Sequence, residues 1–247
     1  MGGRGSSSGA GSGSWIAATS VAGSDGKPID LSNNPLKYGK ADSVLSGGAR
    51  TSIEAFEAKR FKMKSEYSQF VDANGNMVGQ ENHGGKGSVG ASMHQRNTAY
   101  AMSHNHPRDG GMLGGTFSKD DMSNFVAYNQ TVYRATAVEG TYSIAKGAKF
   151  DGQGFRQYYH NANNVNRAKY AAAEKAARTA YNADVNRVMA SNMSHGDKAA
   201  AANKAWNEYM SKNAKAFNTF LVENHNALIA GQQKYGYSYT LERRSGK

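Results

Sequence analysis

Cysteine is absent from the 247 residues. That excludes a disulfide-stapled scaffold, a thiol nucleophile and any thiolate metal site, so a metal held by this chain takes histidine and carboxylate ligands. Acidic residues are scarce: 19 Asp and Glu stand against 30 Lys and Arg, a formal charge of +11 and a pI near 9.7. Such an excess favours nucleic acid, an anionic surface or an acidic partner without naming one. Long apolar runs are missing too. Nothing reaches the ~18 apolar residues of a membrane helix, and the opening residues lack the apolar stretch of a secretory signal. The expectation is a chain that stays out of membranes and works inside a cell. Apolar residues are 38% and the mean hydropathy is −0.70, a polar balance that predicts that some segment stays unpacked.

Residues 1–50 carry 11 of the 29 glycines and read as a flexible Gly/Ser-rich leader, with Trp15, Ile16, Ile29, Leu31 and Leu36 spaced irregularly enough to lie over a partner or over the domain. From 51 to 247 the pattern predicts one domain. Ile53, Phe56 and Phe61 have helical spacing, and Asn74-Gly75 sits between two strand-like runs as in a β-hairpin. Residues 98–103 read as a buried strand ending at His104-Asn105-His106-Pro107, where proline stops regular structure. Ser118 is placed to cap a helix over 119–129, and 133–138 and 141–145 read as a strand pair around Glu139-Gly140.

Between 155 and 232, Gly196 alone precedes Phe220, and alanine blocks recur. This predicts two long helices broken at 194–197, with Gly196 ending one and Asp197 capping the next. Their apolar stripe, from Tyr170 and Tyr181 on one arm to Trp206, Met210, Phe217 and Leu228 on the other, reads as a packing seam, and Lys and Arg residues make the hairpin basic. An alternating strand over 235–242 is placed to rejoin the sheet. The fold class expected is therefore α/β, a mixed central sheet flanked by helices, with a long basic αα-hairpin inserted before the last strand.

Strand side chains alternate with period two, so His104 and His106 point to one side and can share a metal. Catalytic zinc takes three protein ligands and keeps a position for water, and a carboxylate from the following helix, Asp121, is an ordinary third ligand. Zinc lowers the pKa of its bound water toward 7, and a nearby carboxylate takes the proton.

The string Ser103-His104-Asn105-His106-Pro107, followed by Ser118-x-x-Asp121 and preceded by a glutamate, resembles the JAMM (MPN-type) zinc metalloprotease family. The resemblance implies a JAMM-like sheet, Zn2+ on His104, His106 and Asp121, Glu66 as general base and Ser118 as an oxyanion donor. Glu66 leads into Asp72-Ala73-Asn74-Gly75-Asn76, similar to phage and prophage members, whereas Glu57 and Glu54 fall in the preceding helix; Glu57 is the fallback. Eleven residues separate His106 from Ser118, more than the family's usual spacing, and Asp109 and Asp120 are neighbouring carboxylates.

The resemblance implies a metallopeptidase or isopeptidase cleaving an amide in a protein substrate, phage or prophage encoded, working in the host cytoplasm or with the virion. The alternative is a non-catalytic phage structural protein that binds DNA or another virion protein through its basic helices. The RadC family shares the H-N-H-P string and implies a tie to DNA. The other histidines, His83, His94, His160, His195 and His225, lack paired spacing and are expected to be solvated. No feature fixes an oligomeric state.

Overall fold

The computed structural model, which describes residues 14–40, 44–108 and 111–244, has a six-stranded mixed sheet at its centre. Numbered along the chain and given in spatial order, the strands are β10 (Tyr237–Glu242), β9 (Thr141–Lys146), β8 (Val132–Thr136), β7 (Ala101–Asn105), β5 (Tyr67–Val71) and β6 (Asn82–His83). Only β7 and β8 run parallel, and the crossover that a parallel pair requires carries helix α3 (Lys119–Ala127).

Alternation along the strands sorts two packed faces. Ala101, Val132, Val71 and Ala145 pack with Ala49 and Ile53 of α1 (Gly47–Arg60). Their neighbours Met102, Tyr133, Phe70 and Ile144 turn the other way and join the core built with α3, α4 (Gly152–Ala190) and α5 (His195–Tyr235). His104 has the parity of Met102, and Glu66 that of Phe70. Both therefore belong to the face covered by α3, α4 and α5.

The polar residues of the α1 face close one buried network. Arg134 donates from Nε to Glu57 Oε1 at 2.8 Å, from Nη2 to Glu57 Oε2 at 3.1 Å and from Nη1 to Glu242 Oε1 at 3.1 Å. Ser103 Oγ also donates to Glu57, at 2.8 Å. The two carboxylates overcome burial and hold Arg134 protonated.

α4 and α5 have 39 and 41 residues, about 60 Å each at 1.5 Å per residue, and they stand between β9 and β10 as the composition predicts. Their base belongs to the core: Phe155, Tyr159, Val222 and Leu228 are fully buried. Further out, Tyr170 meets Phe217 at 5.5 Å and Tyr181 meets Trp206 at 5.6 Å, yet Trp206 remains 46% exposed. The break differs from the expected one. Ser194 is the N-cap of α5 and accepts from Asp197 N, so Gly196 and Asp197 lie inside its first turn. Serine is as good a cap as aspartate, and the earlier one is used.

The leader boundary at residue 50 does not coincide with the structure. Residues 1–13 and 41–43 lie outside the described residues, but between them β1 (Ile16–Ala18) pairs with β4 (Leu36–Tyr38), and β2 (Ser20–Ala22) with β3 (Pro28–Asp30). Ile29, Leu31, Leu36 and Tyr38 are buried in the main core, and Gly39 N donates to Leu241 O at 3.0 Å. The irregular apolar spacing reflects strands of only three residues, too short to show a period.

Two other elements depart from expectation. A capping box between Ser92 and Gln95 starts a short helix, α2 (Met93–Thr98), so the strand before the histidines begins at Ala101 rather than at 98. The Asn74-Gly75 turn forms, with Asp72 accepting from Asn74 N and Asn76 N, and its return arm pairs with β5 in two pieces, a bridge from Val71 to Met77 and the two-residue β6, rather than as one continuous strand. His225 is fully buried rather than solvated: Nε2 donates to Lys37 O at 2.8 Å and Nδ1 lies 2.7 Å from Tyr239 Oη. Burial pushes its pKa down to about 3, so the ring is neutral and ties β4 to α5 and β10. Among the described residues no helix is long and apolar enough to cross a membrane.

Candidate metal centre

His104 is the fourth residue of β7, paired across to Ser68 of β5 and to Ala135 of β8. His106 lies just past the strand, where His106 N still donates to Thr136 O at 2.9 Å and keeps the ring on the same side. The Nε2 atoms of the two imidazoles are 2.8 Å apart. Asp121 completes the group, with Oδ1 3.5 Å from His104 Nε2 and Oδ2 3.7 Å from His106 Nε2. One ligand atom from each residue lies within 4.8 Å of the others, and this group can hold a metal ion.

Asp121 reaches the histidines from the first turn of α3, where Ser118 fixes it. Ser118 Oγ accepts from Asp121 N at 3.0 Å, and Ser118 N donates to Asp121 Oδ2 at 2.8 Å, a reciprocal cap. The Ser118 hydroxyl thus spends a lone pair on the cap and keeps its proton for another acceptor. Burial works to raise the Asp121 pKa, but the two imidazoles hold it well below the carboxylate range. For His104, burial works downward and is outweighed by the Asp121 and Glu66 carboxylates, leaving its pKa raised.

The donor set suits a metal ion. His106 Nδ1 is 2.9 Å from Gly115 O, and a carbonyl only accepts, so Nδ1 carries a proton and Nε2 is the nitrogen available to a metal. His104 Nδ1 is buried and has no hydrogen-bond partner. Two nitrogens and a carboxylate converge without sulfur, a set able to hold a metal ion.

Glu66 lines the same cavity as the three, a space of about 460 Å³. It is buried, and burial raises its pKa while His104 and His106 act against the rise. Asn105, between the histidines and of opposite parity, brackets it: Oδ1 accepts from Tyr67 N at 2.7 Å and Nδ2 donates to Ser65 O at 2.9 Å. Glu57 is on the other face of the sheet, committed to Arg134 and Ser103. The structure thus brings Glu66, His104, His106, Ser118 and Asp121 to one cavity and leaves Glu57 out. Asp120 lines the cavity outside the metal-binding group, and Asp109 lies outside the described residues.

The long Gly-rich connection from His106 to Ser118 is held by side chains that the sequence reading did not single out. Glu139 accepts from Gly114 N at 3.1 Å and from Gly115 N at 2.7 Å. Asn218 of α5 accepts from Leu113 N and donates to Gly111 O, both at 2.9 Å. Thr116 Oγ1 meets Tyr239 Oη at 2.7 Å. Gly115 has φ +82°, and a Cβ there would come within 2.6 Å of Leu221, so glycine is required. Glu139 therefore orients His106 through Gly115, whose N–H it accepts and whose carbonyl accepts from His106 Nδ1. We expect Glu139→Gln, which offers one acceptor for two N–H groups, to lower divalent-metal affinity about tenfold to a hundredfold. Chelator competition measures this, and an unchanged affinity would show that Gly115 is held by its other neighbours.

Comparison of the chain with protein-family models, with curated proteins and with solved structures finds no match.

Proposed function

We propose that this chain is a zinc-dependent metallopeptidase or isopeptidase of JAMM-like type, hydrolysing an amide bond in a protein substrate. The observation that carries the reading is the convergence of His104, His106 and Asp121 beside a buried glutamate in one cavity. Zinc held by the three would acidify a bound water and polarise the carbonyl under attack. Glu66, with its pKa raised by burial, is suited to take a proton from the attacking water and return it to the departing amine. The Ser118 hydroxyl, whose proton is not used in its cap, stands to donate to the developing oxyanion. Asn105 and Glu139 keep Glu66 and His106 in register with one another. Phage or prophage origin, and action in a host cytoplasm or on a virion, belong to the same proposal through the resemblance.

Elemental analysis of the full chain tests the reading. One zinc per chain is expected in the wild type and none in His104→Ala/His106→Ala. No zinc after reconstitution would sink the enzyme and favour a structural or interaction protein. The observation on that side is the outer hairpin, where residues 167–215 carry nine Lys and Arg against four Asp and Glu around the exposed Trp206, a surface suited to DNA or an acidic virion protein.

A further inference from the structure

The cavity beside the metal centre has walls that the hydrolytic chemistry does not use. Arg108 comes from the segment after His106, and Arg167 from the base of α4; both line the cavity together with Glu66, His104 and Asp121. Five of the described arginines hold carboxylates: Arg50 pairs with Glu54, Arg60 with Glu81, Arg134 with Glu57, Arg178 with Glu174 and Arg187 with Asp184, while Arg244, away from the cavity, donates to Thr136 and Ala137 O. Arg96, the other cavity arginine, donates to Ala91 O and to Asn124. Arg108 and Arg167 form no ion pair among the described residues. Arg108 donates from Nη1 to Pro107 O at 2.8 Å, its guanidinium lies 5.7 Å from the Phe217 ring centroid, and its Nε is buried without a partner. An arginine stacked on a ring and short of an acceptor is oriented but unsatisfied, and a planar fork of this kind takes a carboxylate bidentately.

We propose that Arg108 and Arg167 receive a carboxylate of the substrate, so that the amide to be cleaved lies beside an acidic side chain or beside the substrate's own C-terminus. The remaining lining supports a peptide carrier. Phe217, Phe220 and Leu221 offer apolar surface, and Asn164 and Asn224 offer amide groups, as expected of a site that binds a short extended chain. Asp121 is committed to the histidines and to its cap, and Glu66, on which Arg108 acts as a neighbouring charge, makes no ion pair with either arginine. The inference rests on the peptidase reading for the identity of the carrier and on the two arginines for the carboxylate.

The test separates the two. Fluorescent pentapeptides of one backbone are titrated into the zinc-loaded full-length Glu66→Gln protein, which binds without turnover. One probe has a central Glu and an amidated end, one a central Gln and an amidated end, and one a central Gln and a free C-terminus. At least one carboxylate peptide is expected to bind about tenfold to a hundredfold tighter than the neutral one, as for hydrogen bonds to charged groups. Which of the two gains shows where the carboxylate comes from. Arg108→Gln and Arg167→Gln should each erase the preference, Arg108→Lys should keep only part of it, and Arg187→Gln at the hairpin's outer end should leave it intact. Equal affinity for all three peptides, no binding at millimolar concentration, or a preference that survives both arginine variants would overturn the proposal. A preserved preference in a wild-type protein that cleaves nothing would instead refute the peptidase reading and leave the carboxylate site standing.

Discussion

Glu66→Gln is expected to keep its zinc and lose hydrolysis by two to four orders of magnitude, the range that a positioned general base supplies. Glutamine preserves shape and hydrogen-bonding reach while removing the group that takes the proton. Zinc content should hold under the proposed function because the group able to hold a metal is His104, His106 and Asp121, with Glu66 outside it. The backbone around Glu66 is fixed independently of its carboxyl: Glu66 N donates to Gly85 O, Gly84 N donates to Glu66 O, and Asn105 holds both neighbouring residues. The measurement is cleavage of an internally quenched peptide library by the two proteins at equal zinc occupancy. Equal rates would move the base elsewhere or end the mechanism. Glu57 is a poor substitute, since Ser103, to which it is bonded, precedes His104 by one residue and so points through the opposite face of the sheet.

The hairpin base belongs to the site more than to an appendage. Asn218 and Leu221 of α5 and Tyr159 of α4 touch the 111–117 connection, with Tyr159 Oη donating to Phe117 O. Tyr239 of β10 holds Thr116 and is itself joined to His225, which reaches back to Lys37 in the N-terminal strands. The extra residues between His106 and Ser118 are thus anchored from α4, α5, β10 and the β8–β9 turn. This explains how an eleven-residue connection delivers Asp121 to the two histidines.

Much of this was legible because period-two alternation is a short-range rule. It fixed that His104 and His106 share a side, and the same parity carried from Phe70 back to Glu66 places that carboxylate on the site face. The Ser118 cap was equally local, and the hairpin followed from alanine blocks and scarce glycine. What escaped was long-range. Nothing near Glu139 in sequence marks it as the acceptor for Gly114 and Gly115, because a turn carboxylate before glycine reads as a turn and no more. Asn218 has no signal at all on an amphipathic helix. His225 is a lone histidine on a helix, and its burial shows only through Lys37 and Tyr239, which are distant in sequence or on the next strand. The strands at 16–38 failed for a related reason: three-residue strands are shorter than any window in which a period shows.

Arg134→Met is expected to destabilise the fold by about 3–5 kcal/mol, the cost of leaving a buried charge without its partner. Glu57 and Arg134 are 4% and 1% exposed, so water cannot replace the lost guanidinium. Glu242 suffers less, because Arg50 Nη2 remains 3.2 Å from its other oxygen. Denaturant unfolding reads the loss, and the double variant Glu57→Met/Arg134→Met should recover much of it, since no buried charge is then left uncompensated on that face, although Ser103 Oγ loses its acceptor. The folded fraction of either protein should still bind one zinc, because the network and the metal ligands lie on opposite faces of the sheet. Loss of zinc in the double variant, with the fold intact, would mean that Glu57 acts through the sheet on the histidines and that the two faces are coupled.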